Sequence, residues 1–516
     1  MGIPGLWKII EPIRTSRTHA ELCVHEGYLA QPQRALVIGV DAEGLVSAVK
    51  AKLQVARHVQ TGRNAALKTL FYILCHFGRI PATLVFVFDG PNKPKFKRGK
   101  KVVHHELLLI DFFKQFIDAF GFYHRTAAGD AEKELCDLQR LGCIDIIWSE
   151  DSDVWVFGAT HVVRRADENT FHVYSAQEIE RALKLNAHAM LLFALVGGGD
   201  YHDGLAGAGP ELAYAVAQTS LSLELAKLVQ AGRASYDDKI RDWRKRLAQK
   251  LESGVLGRRY SKVAHAIPHD FPSWHLVSLY TNAPSTVQSS GTYAFGQRLP
   301  NVPGILAQCV LRFEWRSYDR LYNLTVSKVW TVACVRQLMQ VDSSTGSTAA
   351  QNNINDFVAP RDFEVVRRLS TLKAYGRLPL VTLRVDTLLF HYAVWGAVSL
   401  FTGEQAPKED KIDLIVPFPI VESALPAHIS QFLETGTGKR QMKKVGRDWL
   451  EKYDMVLGSS RHTGNTPTVS PQPALEPSAA KIDSTHATVG EDARRVLPNR
   501  EGLVGCSEVI DISDTE

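Results

Sequence analysis

The sequence predicts an α/β fold: a parallel sheet covered by helices on both faces, then a helical region and a small α+β domain. Three observations carry this. Apolar runs alternate with helix-period segments through the first two hundred residues. Those runs are apolar at every position, as in strands buried on both faces, and do not alternate as half-exposed strands do. The chain has 516 residues, 45% hydrophobic and 22% charged, which is ordinary for a globular protein and too long for one core.

Residues 35–40 (ALVIGV) form the first run and end at Asp41. From Asn64, residues Leu67, Leu70, Phe71 and Leu74 fall on one helical stripe with Gly78 as the stop. Residues 83–88 (TLVFVF) are a second buried strand and end at Asp89. Residues 106–120 read as a helix stopped by Gly121, and another helix runs from about Asp130 to Gly142. Residues 144–148 are the third strand, followed by Ser149-Glu150-Asp151-Ser152-Asp153. Ser175 and Glu178 have the spacing of a capping box for a helix through Leu185. From Gly197 the chain is glycine-rich and then helical, with a basic patch at Lys239, Arg241, Arg244, Lys245, Arg246 and Lys250. Residues 343–355 are a polar linker. After it, Val381, Leu383 and Val385 alternate with polar residues as in a half-buried strand, residues 412–416 are a second strand, and 424–433 a closing helix. From about Gly458 the composition is that of disorder. The expected division is 1–200, 201–340, a linker at 341–356, a small α+β domain at 357–455 and a tail at 456–516.

No apolar run approaches the ~18 residues of a membrane span, and the N-terminus lacks the basic-then-apolar order of a secretory signal. Seven scattered cysteines with no CxxC pair argue against a disulfide scaffold or a zinc site and for a reducing compartment. Membrane and secreted classes are therefore not expected. The net charge of +5 says little by itself; its clustering says more.

Three apolar strands end in acid: Asp41, Asp89 and the pair Asp151/Asp153. Ligands of open parallel sheets bind at the carboxyl ends of the strands, so these acids are predicted neighbours. Asp130 and Glu132 lie at a helix start, where an i, i+2 pair can converge, and Asp200 follows a glycine run. An Asp at a strand end is commonly a turn residue, but so many ordered acids in one cleft need neutralisation. Two Mg²⁺ ions, which take oxygen ligands, are the economical solution. Beside Asp89 stand Lys93, Lys95, Lys97, Arg98, Lys100 and Lys101, with no acid among them. Such a run draws a polyanion toward carboxylates that would repel it. Gly204, Gly207 and Gly209 before Pro210 make a turn whose backbone groups can hold a phosphate or K⁺.

These motifs resemble the flap-endonuclease/XPG-type structure-specific nucleases over roughly residues 1–315. They comprise MGIPGLW at the N-terminus, VDA at Asp41, FDG with KPKFKRG from Asp89, AGDAEKE at Asp130/Glu132, SEDSDVWVFGA at Asp151/Asp153 and GGDY…GLAGAG at Asp200. The resemblance implies a PIN-like fold in which Asp41, Asp89, Asp130, Glu132, Asp151, Asp153 and Asp200 bind two Mg²⁺, with Mn²⁺ as a substitute. It implies that Lys97 contacts the scissile phosphate, that Gly2 and the basic run meet DNA, and that the glycine turn is a helix–two-turn–helix with K⁺. Within the family the chain is most similar to the GEN/Yen-type Holliday junction resolvases. The stretch from Asp89 to Gly129 is short for a flap-threading arch, and FPSW at Phe271 and RFEW at Arg312 match that subgroup. Its members carry a chromodomain where residues 357–455 lie. The activity implied is Mg²⁺-dependent cutting of branched DNA, four-way junctions and 5′ flaps, in repair and recombination in the nucleus, with dimerisation on four-way junctions. A 5′-flap endonuclease or exonuclease without junction resolution and an inactive DNA-binding scaffold are the alternatives. Departures are Asp130 in place of Glu, and Asp203 and Glu211 where basic residues are usual.

Near the C-terminus, Val509, Ile510 and Ile512 beside acids resemble a SUMO-interacting motif. Gln351, Ile354 and Phe357 resemble a sliding-clamp box broken at Val358, for which chance is the simpler reading. Lys439, Arg440, Lys443, Lys444 and Arg447 fit an import signal, a DNA contact or a solvated helix face.

Overall fold

In the computed structural model the described residues are 2–30, 34–55, 64–93, 96–97, 100–101, 107–288, 291, 293–340, 363–369, 372–401 and 410–445. The strands are β1 (Thr15–Thr18), β2 (Leu36–Asp41), β3 (Ala82–Phe88), β4 (Phe96–Lys97), β5 (Lys100–Lys101), β6 (Tyr123–Thr126), β7 (Ile146–Trp148), β8 (His161–Arg165), β9 (Thr170–Ser175), β10 (Phe363–Leu369), β11 (Leu380–Asp386) and β12 (Lys411–Pro417). The main sheet has the order β1-β9-β8-β7-β2-β3-β6. Its five strands from β8 to β6 are parallel, whereas β9 and β1 join antiparallel.

β2 and β3 are buried at every position. Alternate residues feed opposite cores: Leu36, Ile38 and Val40 enter one, and Val37, Val85 and Val87 the other. This is why their sequences carry no period of two. The antiparallel edge adds two strands to the expected parallel sheet. β8, β9 and β1 are short and partly exposed, so their apolar residues never form a run.

The helices start and stop close to the expected punctuation. Ala65–Gly78 buries Leu67, Leu70, Phe71 and Leu74; Leu107–Ala119 ends before Gly121, which takes φ +76. Ser175 is the N-cap of Ala176–Leu183 but makes no side-chain capping bond, and the Glu178 carboxylate is taken by Arg181 at 2.7 Å. A true capping box lies at Thr18 and Glu21, where none was expected.

The small sheet has three antiparallel strands, β10-β11-β12, one more than the pattern suggested. β11 is almost fully buried, not half-buried, with Thr382 1% exposed, because it is the central strand. The closing helix is two, Phe418–Ala424 and Pro426–Glu434, and Leu388–Val398 was not foreseen. Apolar residues of this sheet, of the helices between 302 and 338 and of β2 belong to one continuous core. The described residues belong to one compact unit. No helix among the described residues is long and apolar enough to cross a membrane.

Candidate active site

The parallel register sets the site. Asp41, the last residue of β2, stands opposite Val87 of β3, and Val40 stands opposite Trp148 of β7. Asp89 and the Ser149–Asp153 turn therefore emerge on either side of Asp41 at the carboxyl edge. Asp41 is 4% exposed. Its carboxylate accepts from the Gly44 amide at 2.8 Å and the Ser149 hydroxyl at 3.1 Å. Ser149 Oγ in turn accepts from the Asp151 amide at 3.0 Å, and Asp151 Oδ1 from the Asp153 amide at 2.9 Å. Burial foremost, and then the charges of Asp89 and Asp151, push the Asp41 carboxyl up to about 7.

The strand ends are laced to the helix that carries the next acids. Asp89 Oδ1 accepts from the Ala131 amide at 2.9 Å, and Gly90 donates to the Gly129 carbonyl at 2.8 Å. Asp130 is the N-cap of the helix Ala131–Arg140. Carboxylate oxygens of Asp89, Asp130 and Glu132 all lie within 4.8 Å of one another. Tyr201, next to Asp200, donates its hydroxyl to Asp130 Oδ2 at 2.8 Å. Burial and the charges of Asp130, Asp153 and Glu132 push the Tyr201 phenol far up, so it remains a donor. Asp200 is half-buried in the turn beside it.

The N-terminal segment closes the other side. Ile3 N donates to Ser152 Oγ at 2.7 Å and Trp7 Nε1 to the Glu150 carbonyl at 3.0 Å. Arg164 lies 4.3 Å over the Trp7 ring. Gly2 has φ +80, and a Cβ there would stand 2.1 Å from Asp151 Oδ1 and 2.8 Å from Asp153 Oδ1. It is buried against the acids. The donors gathered here are carboxylate oxygens, a set that fits hard divalent cations such as Mg²⁺ or Mn²⁺ and not the nitrogen and sulfur sites of zinc.

Among the basic residues, Lys93 lies against Asp89 as an ion pair inside the cleft, not in an open clamp. The backbones of Lys97, Lys100 and Lys101 form the β4–β5 hairpin; their side chains, Lys95 and Arg98 lie outside the described residues, as do residues 351–358 and Val509, Ile510 and Ile512. In the glycine turn, Gly204 (φ +78) packs on backbone, 2.5 Å from Gly198 N to a notional Cβ. Gly207 and Gly209 are exposed, and Pro210 opens the helix Pro210–Ala217 at its first turn. Sequence reasoning did not single out Ser149, Ser152 or Tyr201. Tyr201 was within the GGDY motif, whereas the serines carry no signal beyond their place between acids.

The XPG I-region family model matches residues 121–200. The yeast Saccharomyces cerevisiae DNA repair protein RAD2 is 33% identical over 104 residues, 20% of this chain and 10% of that protein. Mouse flap endonuclease GEN homolog 1 is 26% identical over 243 residues, 42% of this chain and 25% of that protein. Rice flap endonuclease GEN-like 1 is 26% identical over 272 residues, 46% and 41%. The matched part thus spans from a tenth to two fifths of these relatives' lengths. Among solved structures, the Holliday junction-resolving enzyme GEN1 with product DNA and Mg²⁺ superposes with a TM-score of 0.65 at 21% identity, over 85% of this chain and 100% of that one. A potassium-bound GEN-1 structure gives 0.66 at 22% identity, over 85% and 100%. In fold, in the matched region and in these relatives the chain is similar to the XPG/flap-endonuclease family. Its likeness there runs to the GEN members.

Proposed function

We propose that the chain is a divalent-metal-dependent, structure-specific DNA endonuclease that cuts branched DNA, four-way junctions and 5′ flaps, in nuclear repair and recombination. One observation carries the reading: Asp89, Asp130 and Glu132 crowd within 4.8 Å, beside an Asp41 whose carboxyl the charges of Asp89 and Asp151 push upward. Like charges so placed favour a site built for cations.

Asp41, Asp89, Asp130, Glu132, Asp151, Asp153 and Asp200 would hold two Mg²⁺ or Mn²⁺ ions. Such ions supply stabilisation of the charge that develops on the attacking and leaving oxygens of a phosphodiester. The chain's own residues do the rest. Tyr201 orients Asp130 by its hydroxyl, the Ser149 and Gly44 donors hold Asp41, and Lys97 and Arg98 of the basic segment position the phosphate. Lys95, Lys100 and Lys101 belong to the same DNA-facing entrance, whereas the expected DNA contacts Gly2 and Lys93 lie within the cleft, against Asp151 and on Asp89. Gly207 and Gly209 offer exposed backbone to a duplex phosphate, with K⁺ at the turn and Gly204 shaping it. In this reading residues 1–200 are the nuclease core, 201–340 the duplex-binding region and 357–455 an appended domain, chromodomain-like by position. Symmetric cutting of a junction takes two copies on the DNA, and the tail at 509–512 offers a strand to SUMO.

The test is cleavage of an immobile four-way junction and of a 5′-flap duplex, with nicks mapped on every strand. Paired, Mg²⁺-dependent nicks in the junction are expected, and Asp41→Ala should bind without cutting. Cutting of flaps alone would leave the flap-endonuclease alternative, and binding without cutting in Mg²⁺ or Mn²⁺ would leave the scaffold.

A further inference from the structure

The helix Ala131–Arg140 carries acids that point apart. Successive helical residues turn by about 100°, so residues two apart face nearly opposite ways. Glu132 enters the cluster with Asp89 and Asp130. Glu134, 0% exposed, faces the other way, toward the segment 283–300 that joins the helices Trp274–Thr281 and Val302–Phe313.

There the Glu134 carboxylate meets three donors: the Arg125 guanidinium at 2.7 Å, the Thr286 amide at 2.9 Å and the Thr286 hydroxyl. Arg125, in the edge strand β6, also donates to Thr286 Oγ1 at 2.9 Å and lies 4.9 Å from the centre of the Tyr293 ring. Farther along, Tyr123 donates to the Gly296 carbonyl at 2.9 Å, and its ring takes Phe295 at 5.1 Å and Arg298 at 3.9 Å. The described residues of the segment thereby pack on side chains of β6, the edge strand of the sheet. Its start presses on the acid loop itself, since a Cβ at Gly129 would stand 2.9 Å from Pro284 Cγ.

We propose that Arg125, Glu134 and Thr286 form a latch that positions Asp130 and Glu132, so that the cation affinity of the site depends on the 283–300 segment. The inference rests on the divalent-metal reading above. A helix fixed on its far face by a buried, three-donor carboxylate resists rolling and sliding; Asp130 is its N-cap and Glu132 rides on its first turn. Contacts one step behind the ligands typically govern metal affinity by 10–100-fold. Because the segment follows the helix of Tyr280, whose ring lies 5.0 Å from that of Tyr201, the latch ties the helical region after residue 200 to the acids on both sides of Asp130.

The test is Mn²⁺ binding to the full chain, read by electron paramagnetic resonance and by the Mn²⁺-dependent rise in Tm. Glu134→Gln is expected to weaken Mn²⁺ binding about tenfold or more, and Thr286→Val, which keeps volume and removes the hydroxyl, severalfold. The double change Arg125→Met with Glu134→Gln removes the unpaired cation that a single change leaves. It should recover Tm without recovering Mn²⁺ affinity. Asp137, buried on the same helix and paired with Lys133 and Arg140, is the control for a merely structural role: Asp137→Asn should lower Tm and leave Mn²⁺ binding unchanged. Folded Thr286→Val and double variants that bind Mn²⁺ like the unmodified chain would overturn the latch, as would an equal loss in Asp137→Asn. An unmodified chain that binds no Mn²⁺ would overturn the metal reading itself.

Discussion

Replacing Asp41 by asparagine separates what the acidic site costs the fold from what it does. Burial, then Asp89 and Asp151, raise the Asp41 carboxyl from 3.8 to about 7. Between those values the folded protein holds a proton that the unfolded chain has released. The sign follows: metal-free stability falls as pH rises, by about 1.4 kcal/mol per unit, until the folded carboxyl has itself ionised. The full loss is about 4 kcal/mol above pH 7, and nothing below the unfolded value. Asparagine keeps the acceptor for Gly44 and can donate to Ser149 in place of accepting from it, so packing and bonding persist. In EDTA, urea denaturation should find Asp41→Asn equal to the unmodified chain near pH 4 and more stable by up to about 4 kcal/mol at pH 8. Mg²⁺ should stabilise the unmodified chain increasingly with pH and the variant far less. Parallel pH profiles in EDTA, or a variant less stable at pH 8, would refute the claim that Asp41 is held against its neighbours' charge.

Two further outcomes follow from the same geometry. Tyr201→Phe removes the hydroxyl on Asp130 Oδ2 and should shift the Mg²⁺ dependence of cleavage by roughly 10–100-fold, with a stability loss of about 1 kcal/mol. Arg336, 2% exposed, donates to the carbonyls of Gly78 at 3.1 Å, Phe77 at 3.2 Å and Ala82 at 2.5 Å. It ties the end of the helix Ala65–Gly78 to the start of β3, at the cost of a buried guanidinium whose pKa falls to about 10. Arg336→Met should lose roughly 3 kcal/mol in urea denaturation, since the guanidinium's bonds to buried carbonyls are lost at about 1–3 kcal/mol each, less at Phe77, which keeps the Ile80 amide, and the methionine is cheaper to bury. Cleavage per folded molecule should not change.

The sequence made the central strands legible because they are buried on both faces: a run such as TLVFVF needs no partner to be read. It made Asp41 and Asp89 legible because a parallel strand that ends in acid points that acid at the ligand edge. β8 and β9 were missed because HVVRR and TFHVYS divide their faces between core and solvent over too short a span to show a period. The helix Leu388–Val398 was missed for the opposite reason, being apolar nearly all round and so without an amphipathic stripe. Ser149, Glu134 and Thr286 were invisible for a third reason: their roles are contacts between segments up to 152 residues apart, as for Glu134 and Thr286, and nothing local marks them.

The placement of the acids sets what the N-terminal motif can carry at Gly2. A cleft that buries Asp41, Asp130, Glu132, Asp151 and Asp153 would open by repulsion unless each loop were held by something other than a counter-charge, since a counter-charge would compete with a cation for the same oxygens. The structure uses neutral donors: backbone amides on Asp41, Asp89 and Asp151, and hydroxyls of Ser149 and Tyr201. Gly2 and Ile3 complete that scheme from the far end of the chain. Backbone at positive φ without a side chain is what fits against Asp151 and Asp153, and any Cβ at position 2 would occupy the space where their oxygens stand. Among the described residues, Lys93 on Asp89 brings a cation inside the cleft.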